Sequence, residues 1–511
     1  MNKKFDFKNI FVMDLANNHQ GDIDHAKKII NLIGKIVKKE KIRAVFKFQF
    51  RQLSTFIHSD HKKNSNNKHI PRFLSTELSI DDYKILLSEV KKNGMLSMCT
   101  PFDEASVDNI KKMGFDIIKL ASCSAKDWPL IEKIADACMP TIFSTGGLEI
   151  ENIDDLVSFF EHKAIDFAIM HCISVYPTPN NQCNLNQLDY LIRRYKDRHI
   201  GWSTHEDPGD IAPIQIAVAK GATIFERHVG LSTDRYKLNQ YSSTPDQIEK
   251  WIQAYKKGLE ICGSSVRKPI IDEIDSIKSL SRGVYAKKKL KKGDVITLED
   301  VFFAMPLLNK QLDSGSFKKG IILKSNVLEN EQINNDNIIV KKNDDYLIIK
   351  SAIHEVKAFL NEANVVLNSE FEVEYSHHYG IKNFKKVGAV LINCINREYC
   401  KKIVVQLPGQ SHPLHFHKLK EETFQILHGL LSIEVDGKLK TLYPGDTCLV
   451  LPGVWHSFST TSGCIFEEVS TTHYNNDSIY KDTEINKLKR EERKTRVDHW
   501  GRFQLPALLN K

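Results

Sequence analysis

The sequence predicts an α/β chain built on a (β/α)8 barrel, followed by a small β-rich unit and a C-terminal all-β domain. Three observations carry this expectation. From residue 10 to about 262, short β-rich runs alternate with amphipathic, Lys/Glu-rich segments of helical period, the pattern of βα units around a parallel sheet. There are eight such runs, and nearly all end in polar residues. Beyond residue 280 the pattern changes to short strands and turns, and from about 370 the turn signals PGQ, VDGK, YPGD and LPG space the chain as in a double-sheet barrel.

The eight runs are FVMDLA from Phe11, AVFKFQ from Ala44, LSMCTP from Leu96, IIKLAS from Ile117, TIFSTG from Thr141, FAIMHC from Phe167, IGWSTH from Ile200 and TIFERHV from Thr223. A doubly wound open sheet could show the same alternation, but it would place its ligand mainly at one switch point. Here the polar residues sit at the C-terminal end of strand after strand, from Asn18 and His19 to Glu226 and His228. A barrel carries its active site at that end.

Domain boundaries follow from the same changes of pattern. The barrel is expected over 1–265, the β-rich unit over 278–340, a linker or bridging helix over 341–370, the all-β domain over 371–475 and a charged tail over 476–511. The β-rich unit contains two loosely similar stretches, LKKGDVITLEDV and ILKSNVLENEQINNDNI. In the tail, KLKREERKTR reads as a solvated helix of alternating charge. A total of 511 residues fits about three domains at roughly 150 residues each.

Composition narrows the function classes. With 41% hydrophobic and 27% charged residues, collagen-like, coiled-coil and disordered readings are excluded. The early apolar run IFVMDLA is short and broken by Asp14, far from the roughly 18 residues of a membrane span. Ten cysteines form no CxxC pair and read as reduced thiols, which points to the cytoplasm. The net charge of +8 is spread along the chain rather than gathered on one basic face, so no nucleic-acid partner is expected.

Strand-end residues suggest the chemistry. Lys47, Lys119 and Ser144 would point into one mouth and converge on a phosphate or carboxylate, with hydroxyls near TPFD and STGG adding neutral hydrogen bonds. His205 and His228 end neighbouring strands, an arrangement suited to a divalent metal with open positions. A Schiff-base role for Lys47 or Lys119 is the alternative. Downstream, GQSHPLHFHKLKEETFQILHG places His415 and His417 on one face of a strand, because side chains alternate with period two. Glu422 and the distant His456 could complete a second metal site.

These residues bring the barrel into line with a known family. It resembles the N-acetylneuraminate (sialic acid) synthases, through ANNHQG at 16, FKFQ at 46, TPFD at 100, IKLAS at 118, STGG at 144, HCISVYPTP at 171, GWSTHE at 201 and IFERHV at 224. The resemblance covers roughly residues 10–340, and its C-terminal part looks like the family's antifreeze-like (SAF) module. It implies a TIM-barrel transferase that condenses phosphoenolpyruvate with an open-chain N-acetylated sugar. It further implies that Lys47, Thr100, Lys119, Ser122, Ser144 and Ser203 hold phosphoenolpyruvate, with Ser174 where some members have asparagine. Gln49 and Tyr176 fall on sugar-facing positions, and Asp14 replaces a glutamate near metal and sugar. His205 and His228 fall on ligands of a metal, manganese with magnesium as the alternative, that polarises the acceptor aldehyde. A homodimer is implied as well. The departures cluster on the acceptor side: Ser124 for a glutamate, Leu238 and Asn239 for an aspartate–histidine pair, and Met305 for an arginine. They suggest an acceptor other than N-acetylmannosamine, and hence a related nonulosonic or 2-keto-3-deoxy sugar acid as product.

The C-terminal domain resembles the cupins, a double-stranded β-helix fold, over about 375–475. The resemblance implies a metal bound by His415, His417, Glu422 and His456, of unspecified identity. Leu451 and Thr460 depart from the second motif's usual proline and asparagine without removing a ligand. Two other functions remain open at this point: a cupin-based sugar isomerase or epimerase, and a non-catalytic carbohydrate-binding protein with a drifted barrel.

Overall fold

Strand alternation sets the architecture of the first half. In the computed structural model, β1 (Ile10–Asp14), β2 (Arg43–Phe50), β3 (Leu96–Pro101), β4 (Ile117–Leu120), β5 (Thr141–Ser144), β6 (Phe167–Cys172), β7 (Ile200–Thr204) and β8 (Ile224–His228) pair in parallel and close into a barrel. The eight expected strands are all present. The structure describes residues 4–497, apart from 64–65, 266, 319, 341–343, 368–370 and 475. It divides into two compact units, 1–268 and 269–511.

Period two decides what each barrel residue faces. Phe11, Phe46, Phe48, Phe143, Trp202 and Phe225 point outward into the layer shared with the helices. Ile10, Val12, Val45, Met98, Ile117, Ile142, Met170 and Ile224 point inward and fill the lower barrel, with Phe7 against them. At Gly201 a Cβ would lie 2.3 Å from the Met170 sulfur, so that close-packed interior admits no side chain there. One or two steps further along the same inward rows, the apolar filling gives way to Asp14, Lys47, Lys119, Ser144, Ser203, Glu226 and His228. The core and the polar mouth are two ends of the same side-chain rows.

In the second unit, β9 (Gly283–Ala286) pairs with β11 (Val301–Ala304), and β10 (Val295–Ile296), β12 (Ile321–Leu323) and β13 (Ile338–Val340) form a three-stranded sheet. They enclose a small core of Val284, Leu290, Ile296, Val301, Ile321 and Val327. The C-terminal part is a double-sheet barrel. Its strands are β14 (Glu372–Ser376), β15 (Ala389–Asn396), β16 (Tyr399–Gln406), β17 (Ser411–His417), β18 (Glu422–Gly429), β19 (Leu431–Val435), β20 (Lys438–Leu442), β21 (Thr447–Val450), β22 (His456–Ser459), β23 (Cys464–Thr471), β24 (Ser478–Tyr480) and β25 (Lys494–Val497). One sheet runs β21-β18-β23-β16-β15-β14-β25 and the other β20-β19-β22-β17-β24.

One expectation is narrowed here and one corrected. Of the linker or bridging helix expected over 341–370 the helix is what forms, and it is no linker: Asp344–Glu362 is helical, and its Ile349, Ala352, Ile353, Val356 and Leu360 share one core with Val373, Tyr375, Ile392 and Val405 of the sheet. Their spacing of three and four is a helical apolar stripe, set within a run rich in Lys, Asp and Asn. KLKREERKTR is likewise no solvated helix. Only Arg490–Arg493 makes a turn, after which β25 adds antiparallel to β14. The cause is Glu374, 2% exposed, whose carboxylate takes Arg490 Nη2 at 2.7 Å and Lys494 Nζ at 2.6 Å. The rest of the expected tail, 498–511, lies outside the described residues.

That pairing makes a prediction. Burial raises the Glu374 pKa, but Lys494 and Arg490 outweigh it and hold the carboxyl at about 2, below its ordinary 4.5. A lowered folded-state pKa gives stability that is full above pH 4.5 and is lost as pH falls towards 2. In acid titrations of the unfolding midpoint, Glu374→Gln should be less stable than wild type at neutral pH and show a flatter acid limb. An acid limb as steep as wild type would contradict the assignment.

Candidate active site and metal centre

The barrel register gathers the mouth residues. Asp14 at the end of β1 lies opposite Lys47 on β2 and His228 on β8, and Ser203 on β7 lies opposite Glu226 on β8. The side chains then meet. Lys47 Nζ is 2.9 Å from Asp14 Oδ2 and 2.7 Å from Glu226 Oε1. Lys119 Nζ donates to Ser144 Oγ at 2.5 Å and lies 3.8 Å from Glu226 Oε2. Ser203 Oγ donates to Glu226 Oε1 at 3.3 Å. All are almost fully buried.

Burial and pairing set the charges. Burial opposes the Lys47 charge, but Asp14 and Glu226 outweigh it and hold the ammonium above the ordinary lysine range. Burial raises the Glu226 carboxyl, yet Lys119 and Lys47 bring it to about 2. Lys119 goes the other way: burial lowers it, with Glu226 only partly compensating. His228 is lowered by burial and so is neutral near pH 7, the form that ligates a metal.

His205 and His228 meet with ring centroids 5.3 Å apart. His205 Nδ1 bonds the Ile173 carbonyl at 3.0 Å, leaving Nε2 for a ligand. His228 Nε2 is 3.4 Å from Asp14 Oδ2, and its Nδ1 is buried with no partner among the described residues. Two imidazoles and a carboxylate at one rim fit a divalent cation with open positions. Tyr176 packs on His205 at 4.2 Å, and Tyr241 on His228 at 5.2 Å.

These groups line a cavity of about 1610 Å³, together with Gln49, Ser122, Ser144, Ser174, Tyr176 and Ser203. Thr100 is buried, its hydroxyl without a partner among the described residues, and it is not among the residues lining this cavity. His171, another polar strand end, stacks on Trp202 and bonds the Cys183 carbonyl. Of the divergent positions, Ser124 is buried in the turn after β4. Leu238 would touch a Cβ placed at Gly230, while Asn239 Nδ2 reaches Asn18 Oδ1 at 3.5 Å. Met305 is exposed.

Sequence reasoning counted Glu226 among the polar strand ends but gave it no role; in the structure it holds both lysines. Its signal was its place two residues before His228, on the same face of β8. Tyr241 and Arg51, which also line the cavity, lie outside strands and gave no periodic signal.

The second cluster is in the C-terminal barrel. One ligand atom each from His415, His417, Glu422 and His456 lie within 4.8 Å of one another, and all four residues are buried. His456 Nε2 and Glu422 Oε1 stand 2.8 Å apart yet without the alignment of a hydrogen bond. The Nδ1 atoms of His415 and His456 meet the carbonyls of Pro413 and Val454 at 2.9 and 3.1 Å, and His417 Nδ1 meets Ser478 Oγ at 3.2 Å. Three Nε2 atoms are thereby turned to a common centre, the arrangement of a metal-ligating set. Burial holds His415 well below its ordinary pKa and His417 at about 4. Glu422 is lowered to about 2, because Lys420 outweighs its burial.

Metal analysis of full-length protein tests this centre. His415→Ala and Glu422→Ala should each lower bound divalent cation by one equivalent per chain, whereas His205→Ala should leave that equivalent in place. Unchanged stoichiometry in both cupin-site variants would contradict the assignment.

Comparison with known proteins now adds to this geometry. Residues 36–267 match the NeuB family and residues 402–466 the cupin domain family. An uncharacterized protein of Methanocaldococcus jannaschii is 31% identical over 57% of this chain and 82% of its own length. The N-acetylneuraminate-9-phosphate synthase of Mus musculus is 26% identical over 56% of this chain and 80% of its own. A crystal structure from Chromobacterium violaceum, named for spore coat polysaccharide biosynthesis protein E, shares 39% identity with a TM-score of 0.61 and covers 65% of this chain and 100% of that one. Spread over the barrel and, separately, over the C-terminal sheets, these matches show that the chain belongs to the NeuB family, the sialic acid synthase homologues, and carries an appended cupin domain.

Proposed function

We propose that the barrel condenses phosphoenolpyruvate with an open-chain aldose, giving a sialic-acid-like 2-keto-3-deoxy sugar acid and inorganic phosphate. Family membership supports a transferase of the sialic acid synthase type; the substrates, the metal and the residue roles are the proposal. The observation that carries it is the pair of buried lysines sharing Glu226, with Ser122, Ser144, Ser174 and Ser203 around the same cavity. That set suits a small ligand bearing both phosphate and carboxylate.

In this reading Lys119, Ser122 and Ser144 hold the phosphate, and Lys47 and Ser203 the carboxylate, while Glu226 keeps the two ammonium groups positioned. Gln49 and Tyr176 face the acceptor, and Asp14 orients Lys47 and His228. His205 and His228 would hold a divalent cation, manganese by the family resemblance, which would supply Lewis acidity towards the acceptor's carbonyl oxygen. The C3 carbon of phosphoenolpyruvate bonds to the aldehyde carbon, whose oxygen takes a proton. Water adds to the cationic C2, and phosphate leaves with its bridging oxygen as C2 becomes a ketone. Fixed cations around the charged groups stabilise charge as it develops.

Residues 1–265 are the catalytic part in this proposal, with 278–340 and 371–475 as accessory domains in a cytoplasmic homodimer. Ten free cysteines are in keeping with a reducing compartment; among the described residues no helix is long and apolar enough to cross a membrane. The complete ligand set of the cupin favours a second reading, in which the cupin isomerises or epimerises a sugar.

Phosphate release from phosphoenolpyruvate and manganese, measured across hexoses and N-acetylhexosamines, tests the two readings. Release should require an aldose. Lys119→Ala should lower kcat/KM by about 10²–10³-fold, the scale of losing one preorganised donor, and His205→Ala should abolish release while His415→Ala spares it. Loss of product with only the His415 variant would move the chemistry to the cupin.

A further inference from the structure

Each histidine of the barrel rim has a buried charged residue beside it in the chain. Side chains alternate along a strand, so His228 faces the mouth while Arg227, just before it, faces the helical layer; Glu206 directly follows His205. Arg227 and Glu206 are 1% and 0% exposed, and Arg227 Nη2 lies 2.9 Å from Glu206 Oε1. Neither is among the residues lining the 1610 Å³ cavity.

Most of this guanidinium is spent on backbone. Its Nη1 donates to the Pro208 carbonyl at 3.3 Å, and its Nη2 to those of Asp207 and Asp210 at 3.4 Å each. Arginine–carboxylate pairs are frequently bidentate, but here Glu206 Oε2 and Arg227 Nε have no hydrogen-bond partner among the described residues. The fork is turned instead to the loop 206–210, the segment that carries the chain away from His205. On its other side the guanidinium carbon lies 5.3 Å from the Trp251 ring centroid. Trp251, on the helix Pro245–Cys262, packs edge-on against Phe11 of β1 at 5.6 Å within the main core, so the clasp has a firm seat.

The place of the clasp along the strands matters. The β7–β8 register ends with Thr204 opposite Arg227, so His205 stands just beyond the ladder, where strand pairing no longer fixes its distance from His228. The contact of Arg227 with Glu206 and the following carbonyls takes over at that point. On the inner side, His205 Nδ1 is met by the Ile173 carbonyl, and the His205 carbonyl by the Thr178 amide.

We propose that Arg227 and Glu206 are positioning residues for the barrel metal: their clasp on the outer face sets the separation of His205 and His228 on the inner face. This rests on the reading above in which those two histidines hold a divalent cation. Replacing a buried ion pair by apolar residues of similar volume is often neutral for stability, whereas a planar fork of fixed directions supplies a geometry that an ammonium group cannot.

The test is calorimetric titration of full-length, metal-free protein with manganese alone, in a His415→Ala background so that the barrel equivalent is read, together with the thermal midpoint of each metal-free variant. Arg227→Lys keeps a cation beside Glu206 but loses the fork, and should raise the manganese Kd by about 10–100-fold, the scale of losing a partner behind a metal ligand. The double variant Glu206→Leu/Arg227→Met removes both charges together and should raise Kd as much while keeping a midpoint near that of its parent. Ile33→Val, in the same outer core, is the control for lost stability and should leave Kd unchanged. Parental affinity in Arg227→Lys or in the folded double variant, or an equal rise in Kd with Ile33→Val, overturns the proposal; if the double variant does not fold, Arg227→Lys against Ile33→Val decides. His205→Ala separates the two ideas. If it leaves manganese affinity unchanged, the metal assignment fails and the clasp's role fails with it; if it abolishes binding while Arg227→Lys binds as tightly as the parent, the clasp's role alone fails.

Discussion

The barrel mouth depends on one buried carboxylate. Glu226 lies between Lys47 and Lys119 and is the carboxylate the two share; Lys47 has Asp14 as a second partner, and Lys119 has none within 4 Å but Glu226 among the described residues. Taking an ammonium out of water costs several kcal/mol even after relaxation, a cost that close opposite charges offset only when their geometry is held. The closed hydrogen-bonded barrel supplies that hold. It fixes Asp14 between Lys47 and His228 and sets Glu226 beside Ser203, so the network forms without ordering flexible loops. Removing Glu226 would leave Lys119 without its acidic partner and Lys47 with Asp14 alone.

The cupin domain meets the same constraint with different parts. Glu422, a ligand in the metal cluster, also pairs with Lys420, and Lys420 continues through Glu468 to Lys402 at 2.9 and 3.0 Å. The carboxylate is thus oriented from behind, as the histidines are by their Nδ1 partners. In both domains, side chains alternating along strands place a ligand-binding set inside while the other face of the strand packs in a core.

Legibility in the sequence followed that alternation. Lys47, Lys119, His205 and His228 were readable because each ends a short β-rich run, and His415 with His417 because H-x-H on a strand can face only one way. What escaped depended on partners distant in sequence. Lys494 pairs with Glu374 across 120 positions, so an alternating-charge stretch looked solvated until its buried acid was visible. The packing of the helix Asp344–Glu362 escaped because its stripe of Ile349, Ile353, Val356 and Leu360 is diluted by polar neighbours, and only the sheet beneath it reveals that the stripe is covered. Arg51 escaped because no strand or motif singles out a lone arginine; its place is set by the two rings that hold it.

The two histidine clusters differ in a way that bears on where turnover belongs. The cupin offers four protein ligands to one centre, whereas the barrel offers two imidazoles and a carboxylate already engaged by Lys47. A centre with fewer protein donors leaves more positions for substrate or water, the distinction that separates catalytic from structural sites. The barrel pair also borders the large cavity that contains the floor lysines and Arg51. A ligand spanning that cavity would meet cations at both ends, with the histidines and Asp14 along the same wall. The barrel mouth thus has a layout suited to bringing two anionic or polar partners together, the basis of the synthase reading proposed above, while the cupin's four ligands converge on a centre of their own.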